Sequence, residues 1–143
     1  MIFPDINILL YAYNGSDHRH GLAKKWLADL LSGEETIGFS SETINGFIRI
    51  ATNPKAFPFP LSLNDAFDIV KVWLSAPNVL ILIPTEDHLS VLQDVATASN
   101  ARGPAFSDAV LAALAIQHGA TFATSDKDFK RFKGLKTVNP LSN

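Results

Sequence analysis

The order in which short strand-like runs alternate with longer stretches of helical period is what most restricts the fold of this chain. MIF (1–3), TIGFS (36–40), VLILI (79–83), TFATS (121–125) and TVN (137–139) read as strands, and the segments between them repeat their apolar residues every three or four positions. Strands alternating with helices imply crossover connections, a parallel sheet and helices on both faces. The expected fold is therefore α/β, a three-layer α/β/α sandwich around a central parallel sheet. The 143 residues suffice for one such domain, spanning 1–143.

The helical segments carry their own punctuation. INILLYAY (6–13) is continuously apolar, and Asp5 ahead of it fits a helix start. Asp17 precedes HRHGLAKKWLADLLSG, where Leu22, Trp26 and Leu30 fall on one face and Gly33 supplies a stop. In ETINGFIRIATNP, Ile44, Phe47, Ile48 and Ala51 share a face until Pro54 ends the helix. Ser62 with Asp65 resembles a capping box opening LNDAFDIVKVWLSAP, with Phe67, Val70 and Leu74 facing one way. Thr85 is placed to cap EDHLSVLQDVATAS, and Ser107 to cap DAVLAALAIQHG after the Gly103-Pro104 break. DKDFKRF reads as a short helix, and VLILI, apolar at every position, as a central buried strand.

This topology sets where chemistry is expected, because ligands of open parallel sheets gather beyond the carboxyl ends of the strands. Asp5, Glu42 and Asp126 each follow a strand, and Asp108 opens the helix before the last long strand. Singly, such acids cap helices and complement their dipoles. Together they repel one another and raise one another's pKa unless a cation screens them, which points to a divalent metal. Mg²⁺ or Mn²⁺ suits an all-oxygen donor set, and such a site suits hydrolysis of a phosphodiester.

The chain has no cysteine, which removes disulfides, thiolate zinc sites and cysteine nucleophiles and makes a reducing cytoplasm the expected location. Its aliphatic runs are too short for a membrane span and its start is unlike an export signal. A net charge of −2 does not mark a nucleic-acid binder, so charge placement matters more. Five of the twelve Lys and Arg residues follow Asp126, namely Lys127, Lys130, Arg131, Lys133 and Lys136. They read either as phosphate donors or as a solvated helix face.

The chain resembles the PIN-domain ribonucleases and, within them, the VapC toxins of bacterial toxin–antitoxin modules. The likeness runs over nearly the whole length, through PDINILLYAY, GFIRIATNPKAF with PLSLNDAFDIVKVWL, and SDAVLAALAIQHGATFATSDKDFKRFKGLKTVNPL. It implies a PIN-like sandwich, a Mg²⁺- or Mn²⁺-dependent endoribonuclease acting on RNA, a homodimer, and inhibition by a cognate antitoxin that inserts a basic residue into the acidic site. Asp5, Asp108 and Asp126 match the family's three aspartates and are the implied metal ligands. Asn7 matches the polar residue two places after the first. Two positions depart from the pattern: Ile6 stands where a threonine is common, and Gly46 where many members carry a glutamate. Glu42, one helical turn before Gly46, shares its face and is the candidate fourth catalytic carboxylate.

Two other readings compete with this one. A noncatalytic RNA-binding or regulatory module would keep the fold without the chemistry. A receiver-type phosphoryl-transfer domain would need a carboxylate directly after a central strand, whereas VLILI runs into Pro84 and Thr85. Arg49, interrupting an apolar stretch, is expected in a structural ion pair, Phe57 and Phe59 in packing, and Trp26 and Trp73 in packing or a protein interface. His18 and His20 lack companions at zinc spacing and are expected at the surface, and His118 at a helix C-terminus.

Overall fold

A computed structural model gives the chain a five-stranded, all-parallel sheet, and it describes residues 1–142. The strands are β1 (Ile2–Pro4), β2 (Ile37–Ser40), β3 (Val79–Leu82), β4 (Thr121–Ala123) and β5 (Lys136–Val138), ordered β3-β2-β1-β4-β5 across the sheet. The helices are α1 (Ile6–Tyr11), α2 (His20–Leu31), α3 (Ser41–Ala51), α4 (Leu63–Ser75), α5 (His88–Ser99) and α6 (Pro104–Gln117), and a 3₁₀ turn covers Lys127–Arg131. The chain winds outward from β1 through β2 to β3, then returns to place β4 on the other side of β1. The order therefore reverses between β1 and β4, the position at which open α/β sheets form a crevice.

Two apolar cores flank the sheet, as the alternation of strands and helices requires. On one face Phe3, Phe122, Phe129 and Phe132 pack with the alanine-rich side of α6 and with Leu92 of α5. On the other, Trp73 is stacked on Phe39 at 5.2 Å and meets Phe47 edge-on at 4.7 Å. The Trp73 indole N–H donates to the Tyr13 hydroxyl at 2.9 Å, so the one polar atom of this large buried side chain has a partner.

Several local expectations need correction. VLILI is not central: β3 is an edge strand, and Leu80, Ile81 and Ile83 are about half exposed or more, because the crossing of β4 to the far side of β1 leaves β3 with β2 as its only neighbour. Ser107 does not cap α6. The helix starts a turn earlier, at Pro104 after Gly103, since proline at the first helical position is already preset for helix, and Asp108 consequently sits in the second turn. Thr85 does not cap α5 either; Asp87 precedes it, and the Thr85 amide and hydroxyl both donate to Gln117 Oε1. Asp17 accepts three 2.8 Å bonds from Arg19, one from its amide and two from its guanidinium, instead of opening α2, which begins at His20.

The buried faces of two helices are rotated from those the sequence suggested. α2 buries Ala23 and Leu27, leaving Leu22 exposed, and α4 buries Ala66, Val70 and Trp73, leaving Phe67 and Leu74 exposed. In α4 the large indole of Trp73 takes the core position and sets the face. The Ser62 cap is as expected, accepting from the Asp65 amide at 3.1 Å. Phe57 is buried but Phe59 is exposed, because the proline-rich loop turns it outward. His18 is exposed, whereas His20 is half-buried with Nδ1 2.9 Å from the Tyr11 carbonyl oxygen. His118 does end α6, its Nε2 2.7 Å from the Ile83 carbonyl oxygen.

Candidate metal-dependent hydrolytic site

Pro4 ends β1 and Asp5 follows it, anchored by a 2.9 Å bond from its own amide to the Ala123 carbonyl of β4. Its carboxylate is thus fixed at the crevice between the two strands, and it is almost wholly buried. The Thr124 hydroxyl, at the end of β4, lies 2.7 Å from Asp5 Oδ2, and the same hydroxyl oxygen accepts the Asp126 amide at 3.0 Å. With its acceptor role taken by that N–H, the hydroxyl proton is directed at Asp5. Asp126 in turn caps the 3₁₀ turn by accepting the Asp128 amide at 2.9 Å.

The electrostatics join Asp5 to the other two aspartates. Burial pushes the Asp5 carboxyl up to about 6; the Thr124 hydroxyl and the Asn7 amide oppose this, while the charges of Asp108 and Asp126 add to it. Asp108 is also raised, first by its own partial burial and then by Asp126 and Asp128, with Arg131 pulling it back. Three carboxylates distant in sequence therefore share one electrostatic neighbourhood. Among the described residues, no three acidic, histidine or cysteine groups lie close enough to hold a metal ion by themselves. The donor set is all oxygen and carries mutually repelling charge, which suits a hard cation that takes one or two carboxylates and keeps its waters.

Beside Asp126 opens a polar cleft of about 390 Å³, lined by Thr124, Ser125, Lys127, Lys130 and Asn139 among others. Two of the five clustered basic residues thus stand next to the acidic edge, where a phosphate chain entering the crevice would meet them.

Glu42 lies in the first turn of α3, capped by Ser40, and is exposed on the same edge of the sheet. It borders a separate recess with Ile6 and Gly46. A side chain at 46 has no room as the chain stands: a Cβ there would be 2.6 Å from Ile6 Cδ1. The two departures from the family pattern are therefore one steric unit, with Ile6 occupying the space that a residue at 46 would need. Arg49 is exposed and, contrary to expectation, forms no ion pair among the described residues; it lines the same recess as Glu42.

Sequence reasoning missed Thr124. The available signal was a hydroxyl residue at a strand end two places before an acid, which is also an ordinary turn signature.

Residues 2–135 match the PIN domain family. Ribonuclease VapC33 of Mycobacterium tuberculosis is 39% identical over 99% of this chain and 99% of its own length. Ribonuclease VapC37 of the same organism is 37% identical over 98% of this chain and 97% of its own. Among solved structures, VapC20 of M. tuberculosis, described as a sarcin-ricin loop cleaving toxin, superposes with a TM-score of 0.67 at 22% identity, covering 95% of this chain and 99% of that one. VapBC2 of Rickettsia felis bound to a promoter DNA fragment gives 0.68 at 21% identity, covering 97% and 98%.

Proposed function

The chain belongs to the PIN-domain family, among its VapC ribonucleases, and from that premise we propose that it is the endoribonuclease toxin of a toxin–antitoxin pair, hydrolysing RNA with Mg²⁺ or Mn²⁺. The observation that carries the chemistry is the meeting of Asp5, Asp108 and Asp126 in one electrostatic neighbourhood at the β1/β4 crevice.

In this reading Asp5, Asp108 and Asp126 would hold the cation between them, one or two directly and the rest through its waters. When bound, it neutralises charge on the phosphoryl group, makes water more acidic and stabilises the leaving oxygen. The protein supplies the rest. Thr124 fixes the orientation of the Asp5 carboxylate, and Lys127 and Lys130 hold the RNA backbone beside Asp126. Glu42, on the same edge, is the fourth carboxylate and orients water.

The partner expected for this chain is an antitoxin, since solved structures with this fold include VapBC complexes. A second copy is expected too, supported by the apolar area that Leu80, Ile81 and Ile83 leave uncovered. No helix among the described residues is long and apolar enough to cross a membrane, and the proposed site of action is the cytoplasm, where RNA and antitoxin would be met.

The test is cleavage of RNA by purified protein with and without Mg²⁺ or Mn²⁺. Cleavage that requires the cation and disappears in Asp5→Asn and Asp108→Asn supports the reading. Persistent cleavage by either variant, or metal-independent RNA binding without cleavage, overturns it.

A further inference from the structure

A second recess, of about 260 Å³, lies between α1, α3 and α6, next to the acidic edge. Its walls include the apolar side chains of Ile6, Val110 and Leu111 around the bare backbone of Gly46. Polar groups border it: Asn45 and Arg49 from α3, Ser107 from α6, and Glu42 at the α3 N-terminal end. Ile6 and Ser107 are the chain neighbours of Asp5 and Asp108, one Cα step of about 3.8 Å away. A strand whose phosphate lies at the carboxylates therefore brings its adjoining nucleotide to this recess.

Resting on the ribonuclease reading, we infer that this recess receives one unpaired nucleobase of the RNA next to the scissile phosphate, with the Ile6–Gly46 contact as its floor. The volume is ample for a single base. The absent Cβ at 46 and the branched side chain of Ile6 together make an apolar surface where a ring can lie, as unstacked bases do on apolar or aromatic groups. Asn45 and Ser107 offer donors and acceptors to the base edge. Arg49, exposed and without an ion pair among the described residues, can stack on the base or hold the next phosphate. That free guanidinium favours a polyanion over an antitoxin segment, because a peptide suited to an acidic site carries positive charge of its own. The pair that displaces a family carboxylate thus becomes a determinant of which base is accepted.

The experiment titrates AMP, GMP, CMP and UMP separately into the full chain and follows backbone amide resonances. Saturable shifts at Ile6, Asn45, Gly46 and Arg49, stronger for some bases than others and lost in Asn45→Trp, are expected. Asn45 is exposed, so the tryptophan fills the recess from outside, and an unchanged Tm verifies the fold. In RNA cleavage, Asn45→Trp and Arg49→Ala should raise KM about tenfold, more than they lower kcat, and flatten base preference at one position beside the cut. Arg49→Lys should recover part of the loss. No nucleotide shifts at these amides, or unchanged KM and base preference in Asn45→Trp, overturns the inference. So does a variant that loses antitoxin affinity while handling RNA normally, which would make the recess a peptide seat. Base-dependent shifts in a protein that cleaves no RNA would leave the recess standing and remove the nuclease reading instead.

Discussion

Thr124 and Asp5, 119 residues apart in sequence, are joined by a 2.7 Å hydrogen bond in which the hydroxyl donates to Oδ2 of the carboxylate. The bond ties the ends of β1 and β4 at the point where strand order reverses, and it opposes the rise in Asp5 pKa that burial produces.

Thr124→Val should therefore raise the Asp5 pKa of the metal-free protein above about 6, read by carboxyl titration in the presence of a chelator. Thr124→Ser should keep the wild-type value. The loss of a hydrogen bond to a charged group should also lower stability by about 1.5–3 kcal/mol at neutral pH, read from denaturant unfolding.

The pH dependence of stability has a definite sign. Asp5 titrates near 6 when folded against 3.8 as its ordinary value, so the folded state binds a proton that the unfolded chain has lost. Its contribution is fully present below pH 3.8 and is lost as pH rises through 6, about 3 kcal/mol in all. In the presence of a chelator, Asp5→Asn should be more stable than wild type above pH 6, and the difference should vanish below pH 4. A variant less stable than wild type at pH 7 would contradict this.

Divalent cations should raise the Tm of the chelated wild type, because ligand binding to the folded state alone stabilises it by mass action, about 2.7 kcal/mol at a hundredfold excess over Kd. The gain should be absent in Asp108→Asn. Calorimetry with added MgCl₂ or MnCl₂ measures it directly, without reference to RNA.

Gly46→Ala should push aside Ile6 Cδ1, the far end of a flexible and half-buried side chain 2.6 Å from the new Cβ, at a cost that largely cancels the roughly 0.5–1 kcal/mol gained by alanine inside α3. Ile6→Ala should remove most of that cost, so the double variant should be more stable than the sum of the two single effects. Additive effects would show that Gly46 tolerates a side chain by another route.

The alternation of strands and helices was enough to specify a parallel α/β sandwich, because periodicity reports which faces of each element are buried. It was not enough to place β3. VLILI carries the same apolar signal at an edge as in the middle of a sheet, and only the return of the chain to β4 decides between them. Asp5 is legible because it follows a strand at the edge where ligands of parallel sheets gather, and the structure buries it there with Thr124 as donor. The α6 boundary was misplaced because Ser107-Asp108 looks like a cap, whereas Gly103-Pro104 starts the helix sooner. The coupling of Ile6 to Gly46 was invisible in one dimension, since a side chain's reach across two helices leaves no trace in local spacing.

Asp108 sits in the second turn of a helix whose inward side is made of Ala109, Ala112, Ala113 and Ala115, all without solvent exposure. Such small residues let α6 lie tight against its neighbours, and they leave no slack for a bulkier replacement. A methyl-to-isopropyl change within the two turns after the aspartate should shift the rod and carry Asp108 away from Asp126. Turnover in this protein should accordingly be sensitive at positions that never meet RNA, and a mutational scan scored by growth arrest would mark a stripe of alanines as though they were part of the chemistry.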